Sequence, residues 1–193
     1  MKRANSRRSL CGILAGVGVL VGALGSGNRE VPGGSGDGVT TIILVRHANK
    51  DTGSPDPGLS EQGRERARRL AESLRYAGVD TLYASNTARA RETAAVVAHE
   101  LKLDAAATKA PYDPREKPAA LAQRLAAEGP GRVVLAVGHS NTVPAILKEM
   151  GNWDVAEIKT DEDRDFDHVF IVTLSEGGVK RLICAGYPPV TRK

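Results

Sequence analysis

Residues 39–45 (VTTIILV) form an almost wholly apolar, β-branched run, the pattern of a strand buried on both faces of a sheet. The run stops abruptly at Arg46-His47. Residues 133–137 (VVLAV) repeat the pattern and stop at Gly138-His139-Ser140. Open α/β sheets gather their ligands at the carboxyl edge of the strands. Two buried strands that each deliver a histidine to that edge point to a site that handles an anion.

The chain between and beyond these strands alternates in period. Ser60 suits a helix N-cap; Ala67, Leu70, Ala71 and Leu74 then recur at helical spacing, and Gly78 suits the residue after a helix end. Arg64, Arg66, Arg68 and Arg69 read as the solvated face of that helix. Residues 81–85 (TLYAS) predict a short strand, and 87–101 a helix with Ala90, Ala94, Val97 and Leu101 on one side. An edge strand is expected at 105–110, a loop at 111–117, and helices near 119–127 and 142–150. Two final strands, 168–174 and 180–185, flank Glu176-Gly177-Gly178 and predict an antiparallel hairpin. Together these elements describe a three-layer α/β/α domain with a mixed, mainly parallel sheet.

The first 27 residues read differently. Lys2, Arg3, Arg7 and Arg8 precede residues 10–24 (LCGILAGVGVLVGAL), an uncharged apolar run, and Gly25-Ser26-Gly27 follows. A basic start, a short apolar core and a small-residue zone are the layout of a secretory signal. The run is short of the roughly 20 apolar residues of a membrane span; an uncleaved anchor is the alternative. Export to the periplasm, the cell envelope or the medium is therefore expected. The organisation expected is leader 1–27, linker 28–38, domain 39–187 and tail 188–193.

Charge supports that division. The whole chain carries 27 Lys and Arg against 23 Asp and Glu. The leader holds four of the cations and no acid, so the remainder is neutral. A neutral domain has no electrostatic footprint for nucleic acid, and a membrane partner is expected only if the leader is retained. Cys184, the one cysteine beyond the leader, lies in an apolar run (LICA) and reads as a buried structural thiol.

Arg46, His47, Arg89 and His139 converge if the strand ends are adjacent. Arg89 lies four residues after Ser85, on the first turn of a helix, so it points to the same edge. Arginine suits a tetrahedral oxyanion because its planar fork donates two parallel hydrogen bonds and stays charged. The turn 138–142 (GHSNT) runs into a helix whose free N–H groups favour an anion. Ser140, Asn141 and Thr142 serve equally as helix caps.

LVRHA at 44–48, LSEQG at 59–63, YASNTARARETA at 83–94 and GHSNTVP at 138–144 resemble the histidine phosphatase superfamily, the phosphoglycerate-mutase-like group, in its compact branch without a large cap. The four blocks follow that family's order and span nearly the whole domain. The resemblance implies that His47 is the nucleophile, forming a phosphohistidine that water hydrolyses. It implies that Arg46, Arg89 and His139 bind the transferring phosphoryl oxygens, with no metal and no cofactor. Ala48 stands where the family often has Gly. The family's proton-donating Glu has no aligned counterpart; Asp113 occupies the nearest corresponding loop, with Glu116 second. Each reads equally as a solvated loop acid or a turn former. If neither reaches the site, the leaving group must need little protonation.

The expected function is thus an exported, metal-independent phosphatase of small phosphomonoesters. A protein phosphohistidine phosphatase and a catalytically weak phosphate- or phosphosugar-binding envelope protein are the alternatives. A mutase would need a closed site, for which the chain has little material. His99 and His168 read as structural. The acidic run Asp161, Glu162, Asp163, Asp165 and Asp167 lacks a calcium-loop pattern and reads as a solvated loop. Asn49 and Lys50 either touch substrate or shape the loop.

Overall fold

The structure, a computed structural model, describes residues 38–153, 155, 166–175 and 177–187. Five strands form one sheet: β1 Thr40–Arg46, β2 Thr81–Ala84, β3 Val133–Gly138, β4 His168–Ser175 and β5 Gly178–Gly186. Their order is β2-β3-β1-β4-β5. β1, β2 and β3 run parallel, while β4 and β5 add an antiparallel hairpin beside β1. The sheet is mixed, with its three parallel strands at one side.

Alternate residues of β1 serve two different cores, which is why the run is apolar throughout. Ile42 and Leu44 pack with Leu121 and Leu125 of α3 (Pro118–Ala126) and with Val143, Ile146 and Leu147 of α4 (Thr142–Gly151). Ile43 and Val45 pack with Leu70 and Ala71 of α1 (Glu61–Ser73) and with Ala90, Ala94 and Val97 of α2 (Ala88–Leu101). Each fully buried Val, Leu or Ile contributes about 1.5–3 kcal/mol. Removing one such side chain is therefore felt across a whole layer.

Four expectations need correction. α1 ends at Ser73, capped by Leu74, whose N–H bonds back to Leu70 and Ala71. Gly78 lies beyond that end, at φ 71°, and turns the chain into β2. Residues 105–110 do not form an edge strand. Asp104 accepts from the N–H of Ala106 at 3.0 Å and starts a 3₁₀ turn, Ala105–Ala107. Single bridges from Thr108 to Leu82 and from Tyr112 to Ser85 remain of the pairing. Cys184 is exposed rather than buried, because β5 is the sheet's edge, where Arg181 and residues 183–186 are exposed. Glu176, on which the hairpin turn was placed, lies outside the described residues.

Arg66 is the fourth correction. Arg64 and Arg68 are exposed, but the Arg66 side chain is wholly buried. It is ion-paired with Asp167, the one member of the acidic run that is described, and its Nε donates to Asn49 Oδ1 at 2.7 Å. A charge this deep is tolerated only when paired and hydrogen-bonded. Both partners lie far away in the chain, so helical spacing alone misassigned it. Asp161, Glu162, Asp163 and Asp165 lie outside the described residues.

Candidate active site

The parallel register brings the chemistry together. Arg46 pairs with Gly138, and Ala84 with Val137, so the three parallel strands end level with one another. The His47 N–H donates to Gly138 O at 2.9 Å, which carries that alignment one residue past β1. His139 follows β3 directly. Arg89, in the first turn of α2, reaches the same edge. Arg46, His47, Arg89 and His139 line one pocket of about 600 Å³ together with Lys50, Pro114, Arg115, Ser140, Asn141 and Phe166. Arg46, His47 and His139 are buried. The two imidazoles meet edge to face, centroids 5.1 Å apart.

Hydrogen bonding fixes the tautomer of His47. Nδ1 lies 2.8 Å from Ala48 O, which can only accept, so Nδ1 carries the proton. Nε2 receives the Arg89 Nε–H at 3.1 Å, so it presents a lone pair. The Ala48 N–H donates to Thr93 Oγ1 at 3.1 Å, and that hydroxyl donates to Arg89 O at 2.7 Å, which ties the peptide to α2. The result is a neutral imidazole whose pocket-facing nitrogen is unprotonated and whose ring is oriented from behind.

Burial keeps both histidines neutral. It lowers His47 to about 3, opposed by the bond to Ala48 O and reinforced by His139, Arg46 and Arg89. His139 is lowered to about 4 by burial, then by Arg89 and Arg46, with Asp56 opposing. His139 Nε2 is 2.7 Å from Ser85 Oγ, a fully buried hydroxyl. The His139 N–H donates to Thr142 Oγ1 at 2.8 Å, at the start of α4.

Asp113 does not join the pocket. Its carboxylate turns to the Arg115 guanidinium at 3.2 Å and accepts the Arg115 N–H at 2.8 Å. That partnership holds it below the usual carboxylate range. The neighbours Pro114 and Arg115 line the pocket in its place. Glu116 is ion-paired with Arg124, also outside the pocket. Among the described residues, then, none of the pocket's lining residues carries a carboxyl group; Asp56 lies next to the lining, 3.5 Å from Arg89 Nη1. His99 is exposed at the end of α2, and His168 stacks on Phe170.

Several residues at the site carried no sequence signal. Asp56 accepts the Ala88 N–H with both carboxylate oxygens, at 3.0 and 3.1 Å, and lies 3.5 Å from Arg89 Nη1. It caps α2 from a loop 32 residues away, a pairing local patterns cannot reveal. Ser85 reads from the sequence only as a strand end. Phe166, whose ring centroid is 3.9 Å from Arg46 Cζ, stands within an acidic run that gives no sign of it. Among the described residues, no group of three His, Cys, Asp or Glu could hold a metal ion. A second, mainly apolar cavity of about 460 Å³ lies at the opposite end of β1, around Thr40, Ala122 and Leu174, away from this chemistry.

Residues 42–111 match the family model described as the histidine phosphatase superfamily, branch 1. A curated relative, the 2,3-bisphosphoglycerate-dependent phosphoglycerate mutase of Parvibaculum lavamentivorans, is 39% identical over 69 residues, 31% of this chain and 33% of the relative. The chain thus spans about one third of the length of the curated relative it matches. Among solved structures, the protein histidine phosphatase SixA complexed with tungstate is 20% identical, with TM-score 0.57, covering 77% of this chain and 96% of its own. A mycobacterial glucosyl-3-phosphoglycerate phosphatase is 16% identical, with TM-score 0.55, covering 79% and 100% respectively. YhfR of Bacillus stearothermophilus is 18% identical, with TM-score 0.54, covering 73% and 94%. These three share the fold.

Proposed function

We propose that this chain, whose residues 42–111 match the histidine phosphatase superfamily model, belongs to that superfamily and is a phosphatase working through a phosphohistidine on His47 Nε2. The observation that carries the reading is the pocket-facing lone pair of His47, held by the Nδ1 bond to Ala48 O and ringed by Arg46, Arg89 and His139. An entering phosphoryl group takes the Arg89 guanidinium from Nε2 and frees the nucleophile. Nε2 attacks phosphorus, the bond to the leaving group breaks, and the leaving group departs with its electron pair. Water then attacks phosphorus, the N–P bond breaks, and phosphate leaves with neutral His47 restored. Arg46, Arg89 and His139 meet the charge that spreads over the equatorial oxygens.

The same pocket bears on the leaving group. Without a carboxyl among the described lining residues, the reading favours groups that depart without a carboxylic proton donor: aryl oxides, or an imidazole already protonated on its far nitrogen. The second reading, hydrolysis of protein phosphohistidine, draws support from this feature. Export is proposed on the leader 1–27, and metal independence on the cationic ring, which supplies the positive charge.

The test is hydrolysis of an activated aryl phosphate in EDTA by the purified protein. His47→Ala is expected to abolish turnover with the thermal midpoint little changed, and acid quenching is expected to trap labelled phosphate on His47. Turnover that survives His47→Ala sinks the proposal. Phosphate binding without turnover on monoesters or phosphohistidine peptides assigns the pocket to binding alone.

A further inference from the structure

One buried guanidinium ties two walls of the pocket together. Arg66, on α1, donates from Nε to Asn49 Oδ1, two residues after His47. Its Nη1 is paired with Asp167, the residue after Phe166. Its Cζ lies 5.3 Å from the Phe166 ring centroid, and Arg46 Cζ lies 3.9 Å from that same centroid. The segment is pinned again from behind: Tyr187 Oη donates to Phe166 O at 2.6 Å and its N–H to Asp167 O at 3.1 Å. Phe166 is thereby a fixed, buried wall that also meets the His47 ring edge to face at 6.3 Å.

Burying an arginine and a carboxylate is a poor way to gain stability, because desolvation consumes much of the attraction. What the pair supplies is geometry. A guanidinium stacked on an aromatic face is held in one plane, and a flat fork meets phosphoryl oxygens only from the right plane. We infer that Arg66, with Asp167, is a positioning residue for phosphoryl transfer: it locks Phe166 against Arg46 and so sets the plane of the Arg46 guanidinium. The inference rests on the proposed role of Arg46 at the phosphoryl group.

The experiment uses the full chain, an aryl phosphate as substrate, inorganic phosphate as ground-state inhibitor and vanadate as a five-coordinate mimic of the transition state. Phe166→Leu keeps an apolar side chain and removes the stacking face. Its kcat is expected to fall about tenfold and vanadate inhibition to weaken about as much, while KM and phosphate inhibition move less than about threefold. Arg66→Lys, which keeps the charge and loses the fork, is expected to do the same. In an Arg46→Lys background, Phe166→Leu is expected to cost less than about twofold, because the plane it sets is gone. Unchanged kcat and vanadate affinity in Phe166→Leu, or an effect fully additive with Arg46→Lys, overturns the inference and leaves His47 chemistry standing. A wild-type protein that neither turns over the ester nor binds either anion overturns both.

Discussion

His47 illustrates how a single tautomer decides what a residue can do. A proton on Nε2 would close the proposed nucleophile, and the Ala48 carbonyl keeps it on Nδ1. Neutrality has a cost that appears in acid. The folded value of His47 is lowered to about 3, below the ordinary 6.5, so the unfolded chain binds its proton first. Stability therefore is fully present above pH 6.5 and falls as the pH drops from 6.5 toward 3. His139, lowered to about 4, acts in the same direction. Between pH 6.5 and 5, above the carboxylate range, His47 is expected to contribute a loss on the order of 1–2 kcal/mol. Urea unfolding across that window checks it: His47→Ala should have a visibly flatter slope than the wild type, and identical slopes would refute the argument. The four converging residues were readable in sequence because each stands at a strand end or a first helical turn. Asp113 was misplaced because a guanidinium two residues on captures its carboxylate, a preference that loop composition does not encode.

At the scale of elements, α1 is positioned by contact with the chain just past His47. Ser60 Oγ receives the Gly63 N–H at 3.1 Å, the N-cap bond read from the sequence. Gly63 itself lies against Asn49, and a Cβ there would run into the Asn49 carbonyl oxygen, a backbone atom that cannot swing aside. Gly63→Ala is expected to destabilise by about 1–3 kcal/mol and to lower kcat/KM by shifting Asn49 and with it His47. A melting curve and steady-state rates check both effects; an unaltered midpoint would mean that the loop yields freely. β5 gives the opposite expectation. Cys184 is exposed on an edge strand, so Cys184→Ser should move stability by less than about 0.5 kcal/mol and leave activity intact. Periodicity locates the α-helices and strands of the described residues, but it adds a strand at 105–110 where a 3₁₀ turn stands. It could not tell a covered strand from an edge strand, since both read as apolar runs; only the sheet order separates LICA at 182–185 from LAV at 135–137.

The whole molecule places its long-range polar pairs where pattern reading is weakest. Arg66 and Asp167 are 101 residues apart, and Ser85 and His139 are 54 apart. Each looks unremarkable among its neighbours in sequence, which is why a solvated helix face and a solvated acidic loop were the natural readings of the first pair. The proposed leader belongs to this scale too. Fractionation of cells making the full chain is expected to recover a shortened protein outside the cytoplasm, and full-length protein retained in the cytosol would remove the export proposal. The two-sided burial of β1 has one more consequence. Ile42 and Leu44 could trade places with Ile43 and Val45 and each layer would still be greasy, so hydrophobic contrast alone barely opposes a one-step slip of β1 along β3. What opposes the slip is polar punctuation: the Thr40 hydroxyl donating to Gly129 O at 2.6 Å at one end, and the Arg46 and His47 side chains that line the pocket at the other. The pocket end of the strand is also its ratchet stop. Substituting Arg46 with an aliphatic residue would blur not only anion capture but which of two near-equivalent alignments the folding chain selects.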